Sequence, residues 1–157
     1  MVKIIAEVAN AHEGEPKRAI KIAKDAAYSG ADAVKFQIYF GPDLLTKNHP
    51  RYTHFCNQAF KKDEWKFIIS ETRKHNKKII ADIFGFEALE VAISNKVDAI
   101  KIHSSDLSNI QLIQESAKID VPIFLATGGS TLIEIKNSVD AIRSVNVKKE
   151  IVLMHGY

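Results

Sequence analysis

The feature that most constrains this chain is its alternation. Short runs rich in β-branched and aliphatic residues trade places with segments of helical period, and nearly all the connections are short. VKIIAEVA (2–9) reads as a strand, and PKRAIKIAKDAAYSG (16–30) as a helix entered at Pro16 and closed at Gly30. DAVKFQIY (32–39), KIIADIF (78–84), VDAIKIH (97–103), VPIFLAT (121–127) and EIVLMH (150–155) read as further strands. Helices are expected between them over 62–76, 86–95, 108–118 and 131–145. Ala19, Ile20, Ala23 and Ala27 mark the inner face of the first helix, and Trp65, Ile68, Ile69 and Thr72 that of the second. Strict β-α alternation predicts a parallel sheet with crossover helices.

Six strands suit either a doubly wound open sheet or most of an eight-fold barrel. Polar side chains within or at the C-terminal ends of the strands favour the barrel: Glu7, Lys35 and Gln37, Asp82, Lys101 and His103, Thr127, His155. In a barrel all these ends converge on one mouth. The fold expected is therefore α/β, a TIM (β/α)8-type barrel. Such barrels usually take ~250 residues, so residues 1–157 are expected to form a single incomplete domain, truncated after about strand six. The one long connection, residues 40–61, is expected to be a lid or wall beside the mouth.

Composition excludes several classes. The net charge is only +3, with Lys interspersed among Asp and Glu, which argues against nucleic acid as a partner. A single cysteine, Cys56, forms no internal disulfide and suits the cytoplasm. No apolar run approaches the ~18 residues of a membrane helix.

Lys35 and Lys101 stand in matching settings, V-K-F-Q and I-K-I-H, each sharing a strand face with the polar residue two positions on. Two cations aimed at one mouth suit a phosphate or carboxylate ligand. The bland alternative is a pair of ion-paired core lysines. Glu7 could stabilise developing positive charge or pair with a lysine. His12, on the first βα loop, reads as a solvated residue. HSSD (103–106) and TGGST (127–131) offer hydroxyls and amides ahead of helices, where phosphate can be held. In the simpler reading Ser105 or Asp106 turns the first of these loops and Ser108 caps the next helix. Asp82 could be a base, a metal ligand or structural. No metal-binding motif is present.

Taken in order, E-V-A-N-A-H-E-G, G-A-D-A-V-K-F-Q, K-I-H-S-S-D-L-x-N-I-x-L and V-P-I-F-L-A-T-G-G-S-T-L-x-E-I make the whole chain similar to the sialic acid synthase family. That family comprises N-acetylneuraminate synthase and its legionaminate, pseudaminate and spore-coat polysaccharide relatives. The resemblance implies a TIM barrel that condenses phosphoenolpyruvate with an N-acylated aldose such as N-acetylmannosamine. The products would be a nonulosonic acid and phosphate, with Mn2+ or Mg2+ as cofactor. It places Glu7 at the reacting centre, Lys35 and Gln37 on phosphoenolpyruvate and the sugar side, and Lys101 and Ser104 on phosphate and carboxylate. Asp106 takes the place of the family's closing acid, and Thr127 lies in its T-G motif. Asp82 stands where a phosphate-binding threonine is expected. Ala11, Ala126, His103 and Ser105 are further departures from the pattern. The metal ligands are expected beyond residue 157, the family's C-terminal antifreeze-like domain is expected to be absent, and a homodimer is expected from the family. The chain alone is expected to be weakly active or inactive. The competing expectations are a Schiff-base aldolase and a non-catalytic sugar-phosphate binding unit.

Overall fold

The computed structural model describes residues 2–156. Six strands are present: β1 (Ile5–Glu7), β2 (Ala33–Ile38), β3 (Lys78–Ile83), β4 (Ala99–Ile102), β5 (Ile123–Ala126) and β6 (Ile151–Met154). All pair in parallel, in the order β1-β2-β3-β4-β5-β6. A doubly wound sheet reverses its strand order at a switch point; this one never does, which is the arrangement of a barrel wall.

The crossover helices are α1 (Pro16–Tyr28), α4 (Lys62–Arg73), α5 (Phe86–Ser94), α6 (Ile110–Ala117) and α7 (Leu132–Val145). The long connection after β2 is not bare loop. It holds α2 (Gly41–Leu44) and α3 (Tyr52–Gln58), locked together where Gly41 backs onto Cys56. A Cβ on Gly41 would lie 2.2 Å from Cys56 Sγ and 2.9 Å from its Cα, so no larger residue fits. Ser108 is not the cap of α6. Asn109 holds that position, its side-chain oxygen accepting from the Leu112 amide at 3.2 Å.

Period-two alternation divides each strand between two cores. Val34, Phe36 and Ile38 of β2, Ile79, Ala81 and Ile83 of β3, and Ile100 and Ile102 of β4 face the helices. There they join Ala19, Ala23, Trp65, Ile68 and Ile69 in the main cluster. Each fully buried aliphatic or aromatic side chain contributes roughly 1.5–3 kcal/mol. The concave face holds a second, smaller cluster of Ala33, Ile80 and Ala99, flanked by Ile5 and Phe124. This layer floors a cleft of about 590 Å3 that opens toward the N-terminal ends of the strands. One layer above it, toward the C-terminal ends, the inward side chains turn ionic.

Candidate active site

Strand register builds the ionic layer. Glu7 is paired with Lys35, Gln37 with Asp82, and Asp82 with Lys101. All five side chains come from the concave face, and they make one connected cluster. Lys35 Nζ lies 3.1 Å from Glu7 Oε2 and 4.0 Å from Asp82 Oδ2. Lys101 Nζ donates to Asp82 Oδ2 at 2.5 Å. Gln37 Nε2 donates to the other Glu7 oxygen at 3.1 Å. The lysines are thus ion-paired, as the bland reading has it, and they also face the mouth.

Burial is uneven across the cluster. Asp82 is 0% exposed, Lys35 6% and Lys101 7%, whereas the Glu7 side chain is 38% exposed and rims the site. Asp82 Oδ1 is buried with no hydrogen-bond partner among the described residues. Burial pushes the Asp82 carboxyl above the ordinary carboxylate value, against the pull of Lys101, Lys35 and His103.

His103 belongs to this neighbourhood. It follows Lys101 by two residues, so it shares that face, and its ring tilts against Phe84 with centroids 4.7 Å apart. Burial pulls its pKa below 6.5, with Asp82 opposing and Lys101 assisting. The alternation that turns Lys101 toward the mouth turns His103 there as well, as the I-K-I-H pattern predicts.

The remaining expected residues sit on the loops above. Ser104 opens a 3-10 turn, Ser104–Asp106, over the end of β4. The Asp106 carboxylate accepts from Asn109 Nδ2 at 3.4 Å. Thr127 binds the Met154 carbonyl through its amide at 3.0 Å and its hydroxyl at 3.1 Å, tying the end of β5 to β6.

His12 contradicts its expected solvation. It is 1% exposed, its ring packing 4.4 Å from that of Phe60. Nδ1 accepts from the Gly14 amide at 3.0 Å, so in the neutral ring the proton sits on Nε2, which is buried without a partner among the described residues. Gly14, at φ +80°, lies so close to Asn57 and Gln58 that a Cβ would meet the Asn57 carbonyl oxygen at 3.0 Å. The first loop is therefore pressed onto the α3–α4 junction, and the imidazole is buried with it. Burial, helped by Arg18, pulls the His12 pKa down to about 4.

Among the described residues no group of three or more His, Cys, Asp and Glu side chains is placed to hold a metal ion. Glu7 and Asp82 already face ammonium groups, so these residues do not by themselves make the divalent site the resemblance implies. Among the described residues no helix is long and apolar enough to cross a membrane.

Comparison with known proteins bears on the arrangement as a whole. An N-acetylneuraminic acid (sialic acid) synthetase from Leptospira borgpetersenii, solved in complex with citrate, superposes with a TM-score of 0.91 at 27% identity, covering 98% of this chain and 53% of that one. An uncharacterized protein of Methanocaldococcus jannaschii is 30% identical over 97% of this chain and 45% of its own length. An N-acetylneuraminate-9-phosphate synthase of Drosophila melanogaster is 26% identical over 98% and 45% respectively. The chain spans about half the length of the curated relatives it matches. The structural match gives the sheet its place as part of a TIM-barrel wall. The sequence model of the NeuB family matches residues 21–157, and the chain belongs to that family.

Proposed function

We propose that the mouth of this barrel wall serves a sialic acid synthase-type condensation of phosphoenolpyruvate with an N-acylated aldose. The observation that supports it most directly is the pairing of Lys35 and Lys101 across a single buried carboxylate, with Glu7 and Gln37 at the rim. Phosphoenolpyruvate brings a phosphate and a carboxylate, and two inward cations on separate strands suit both. Carbon 3 of the enol forms the new C–C bond to the aldehyde carbon, whose oxygen takes up a proton. The positive charge left at carbon 2 lies in the reach of a carboxylate such as Glu7. Water adds there and loses one proton; the bond from carbon 2 to the phosphate oxygen then breaks as the remaining hydroxyl proton passes to the departing phosphate, giving the 2-keto acid and phosphate. Mn2+ or Mg2+ is supplied in the assay, since no group of three or more ligating side chains among the described residues is placed to hold it.

A Schiff-base aldolase fits the mouth less well. It needs a free amine beside an apolar wall, whereas each lysine stands against a carboxylate. Borohydride trapping with pyruvate separates the two, because an adduct on Lys35 or Lys101 supports the aldolase. The principal test is phosphate release from phosphoenolpyruvate with N-acetylmannosamine and Mn2+, run beside calorimetry of phosphoenolpyruvate alone. Release supports the synthase reading. Binding without release supports a binding unit, and neither overturns both.

A further inference from the structure

The two-lysine site is already neutralised from within. Asp82 Oδ2 sits 2.5 Å from Lys101 Nζ and 4.0 Å from Lys35 Nζ, which is where an anionic ligand would draw its charge complement. Its other oxygen is buried and receives no donor among the described residues. We propose that Asp82 is a specificity-determining residue of this mouth, a resident carboxylate that admits a phosphate- or carboxylate-type ligand only together with a proton. The inference rests on reading the mouth as an anion site.

The coupling is electrostatic. An arriving anion turns the ammonium groups of Lys35 and Lys101 toward itself. Asp82 then has no donor left and no water to replace one, because it is fully buried. A carboxylate in that state neutralises rather than remain charged. Protonation converts its oxygen from a repelling neighbour of the anion into an O–H donor. The proton comes from solvent, and no other bond changes. A ligand that presents only carbonyl or hydroxyl groups leaves the Asp82–Lys101 pair in place and takes up no proton. The other charged groups around Asp82 are Glu7 on β1, Lys35 on β2, and His103 at the end of β4, with Asp106 beyond it. His103 is the competing proton acceptor, so its contribution has to be separated.

Sulfate is the probe, because its charge is constant from about pH 5 to 8. Calorimetric titration of the full chain in buffers of different ionisation enthalpy reads the protons exchanged. The expected result at about pH 8 is close to one proton taken up per sulfate, with affinity falling by up to about tenfold per pH unit. Asp82→Asn is expected to bind at least about tenfold tighter at that pH, with no uptake. His103→Gln is expected to keep the uptake. The proposal is overturned by wild-type binding without uptake, by uptake that survives in Asp82→Asn, by uptake lost in His103→Gln, or by no sulfate binding in either wild type or Asp82→Asn. Should Asp82→Asn fail to fold, the wild-type and His103→Gln titrations decide. Sulfate binding with uptake, together with a borohydride-trapped pyruvate adduct on Lys35 or Lys101, would break the synthase reading and leave the role of Asp82 standing.

Discussion

The two ends of the sheet use the same residues for opposite ends. Asp-Ala-x-Lys occurs twice, as Asp32-Ala33-Val34-Lys35 and Asp98-Ala99-Ile100-Lys101. In each copy the aspartate closes the N-terminal edge and the lysine, three residues or ~10 Å along the strand, reaches the mouth. Asp32 accepts the Ile4 amide at 2.8 Å and Lys3 at 3.4 Å. Asp98 accepts the Ile79 amide at 2.9 Å and faces Lys78 and Arg73. Lys149, buried near the same edge, donates to the carbonyls of Ile119 and Val121. Carboxylates at this end hold backbone amides and pin one strand's start to the next. At the mouth Glu7, Lys35, Gln37, Asp82 and Lys101 hold one another, and one oxygen of Asp82 has no hydrogen-bond partner among the described residues. The charges at the N-terminal edge are held by backbone and opposite charge, as suits a stabilising end, whereas those at the mouth are incompletely satisfied, the end where barrels of this type place their ligands.

The largest effects should come from the mouth lysines. Lys35→Ala is expected to weaken phosphoenolpyruvate binding at least about 100-fold, by removal of a charge-assisted contact to a multiply charged ligand. Circular dichroism should show the fold retained, because Glu7 is rimmed by solvent and Asp82 keeps Lys101. Lys101→Ala should behave differently. It strips the fully buried Asp82 of its hydrogen-bonding partner, a change that typically costs ~3–5 kcal/mol, and urea unfolding should record a loss of that order. Unchanged affinity in Lys35→Ala would return that lysine to a structural role and erase the contrast between the two ends.

The next effect is acid sensitivity at the mouth. His12 has a folded pKa of about 4 against an ordinary 6.5. Between those values the unfolded chain binds the proton and the native protein does not. Stability is therefore full above about pH 6.5 and is lost as pH falls toward 4, by ~3 kcal/mol in all. The comparison variant is His12→Asn, whose amide oxygen can still accept from Gly14. The stability difference between wild type and variant should shrink across that window, and a constant difference would mean that the imidazole titrates as it does in solvent. Asp82 acts with the opposite sign. Its raised pKa means that the native state binds the extra proton, so its contribution falls as pH rises above 3.8 toward the folded value.

Much of this was legible in the sequence, and the failures have physical causes. β-α alternation yields the six strands and five crossover helices, and period two puts Lys35, Gln37 and Lys101 on the concave face. Boundaries run long because apolar residues such as Val2 and Ile4 continue the pattern past the last paired residue; both are exposed here, outside β1. His12 misleads because burial of a loop residue depends on what packs over it. Its cover comes from Phe60 and the α3–α4 junction, some 45 positions away, and no local pattern announces that contact. Asp82 is visible as an odd acid, but its bridging of two lysines needs the register of β2, β3 and β4 together.

The smallest predicted effects test the basal end, where two copies of one motif differ chiefly in exposure. Asp98→Ala removes the acceptor of the Ile79 amide and the partner of Lys78 and Arg73. A loss of ~1–3 kcal/mol is expected for the stranded Ile79 amide, since Lys78 is exposed and Arg73 keeps the Asn95 and Lys96 carbonyls. Asp32→Ala removes the corresponding acceptor of the Ile4 amide. Its side chain is 40% exposed against 22% for Asp98, so water can replace what is lost. The urea midpoint should therefore fall in both variants, and less in Asp32→Ala. Neither should alter the affinity for phosphoenolpyruvate, because both aspartates lie a full strand-length from the mouth. An affinity change in either variant would show that the basal pins set the position of Lys35 or Lys101, and the two ends of the sheet would then be one device.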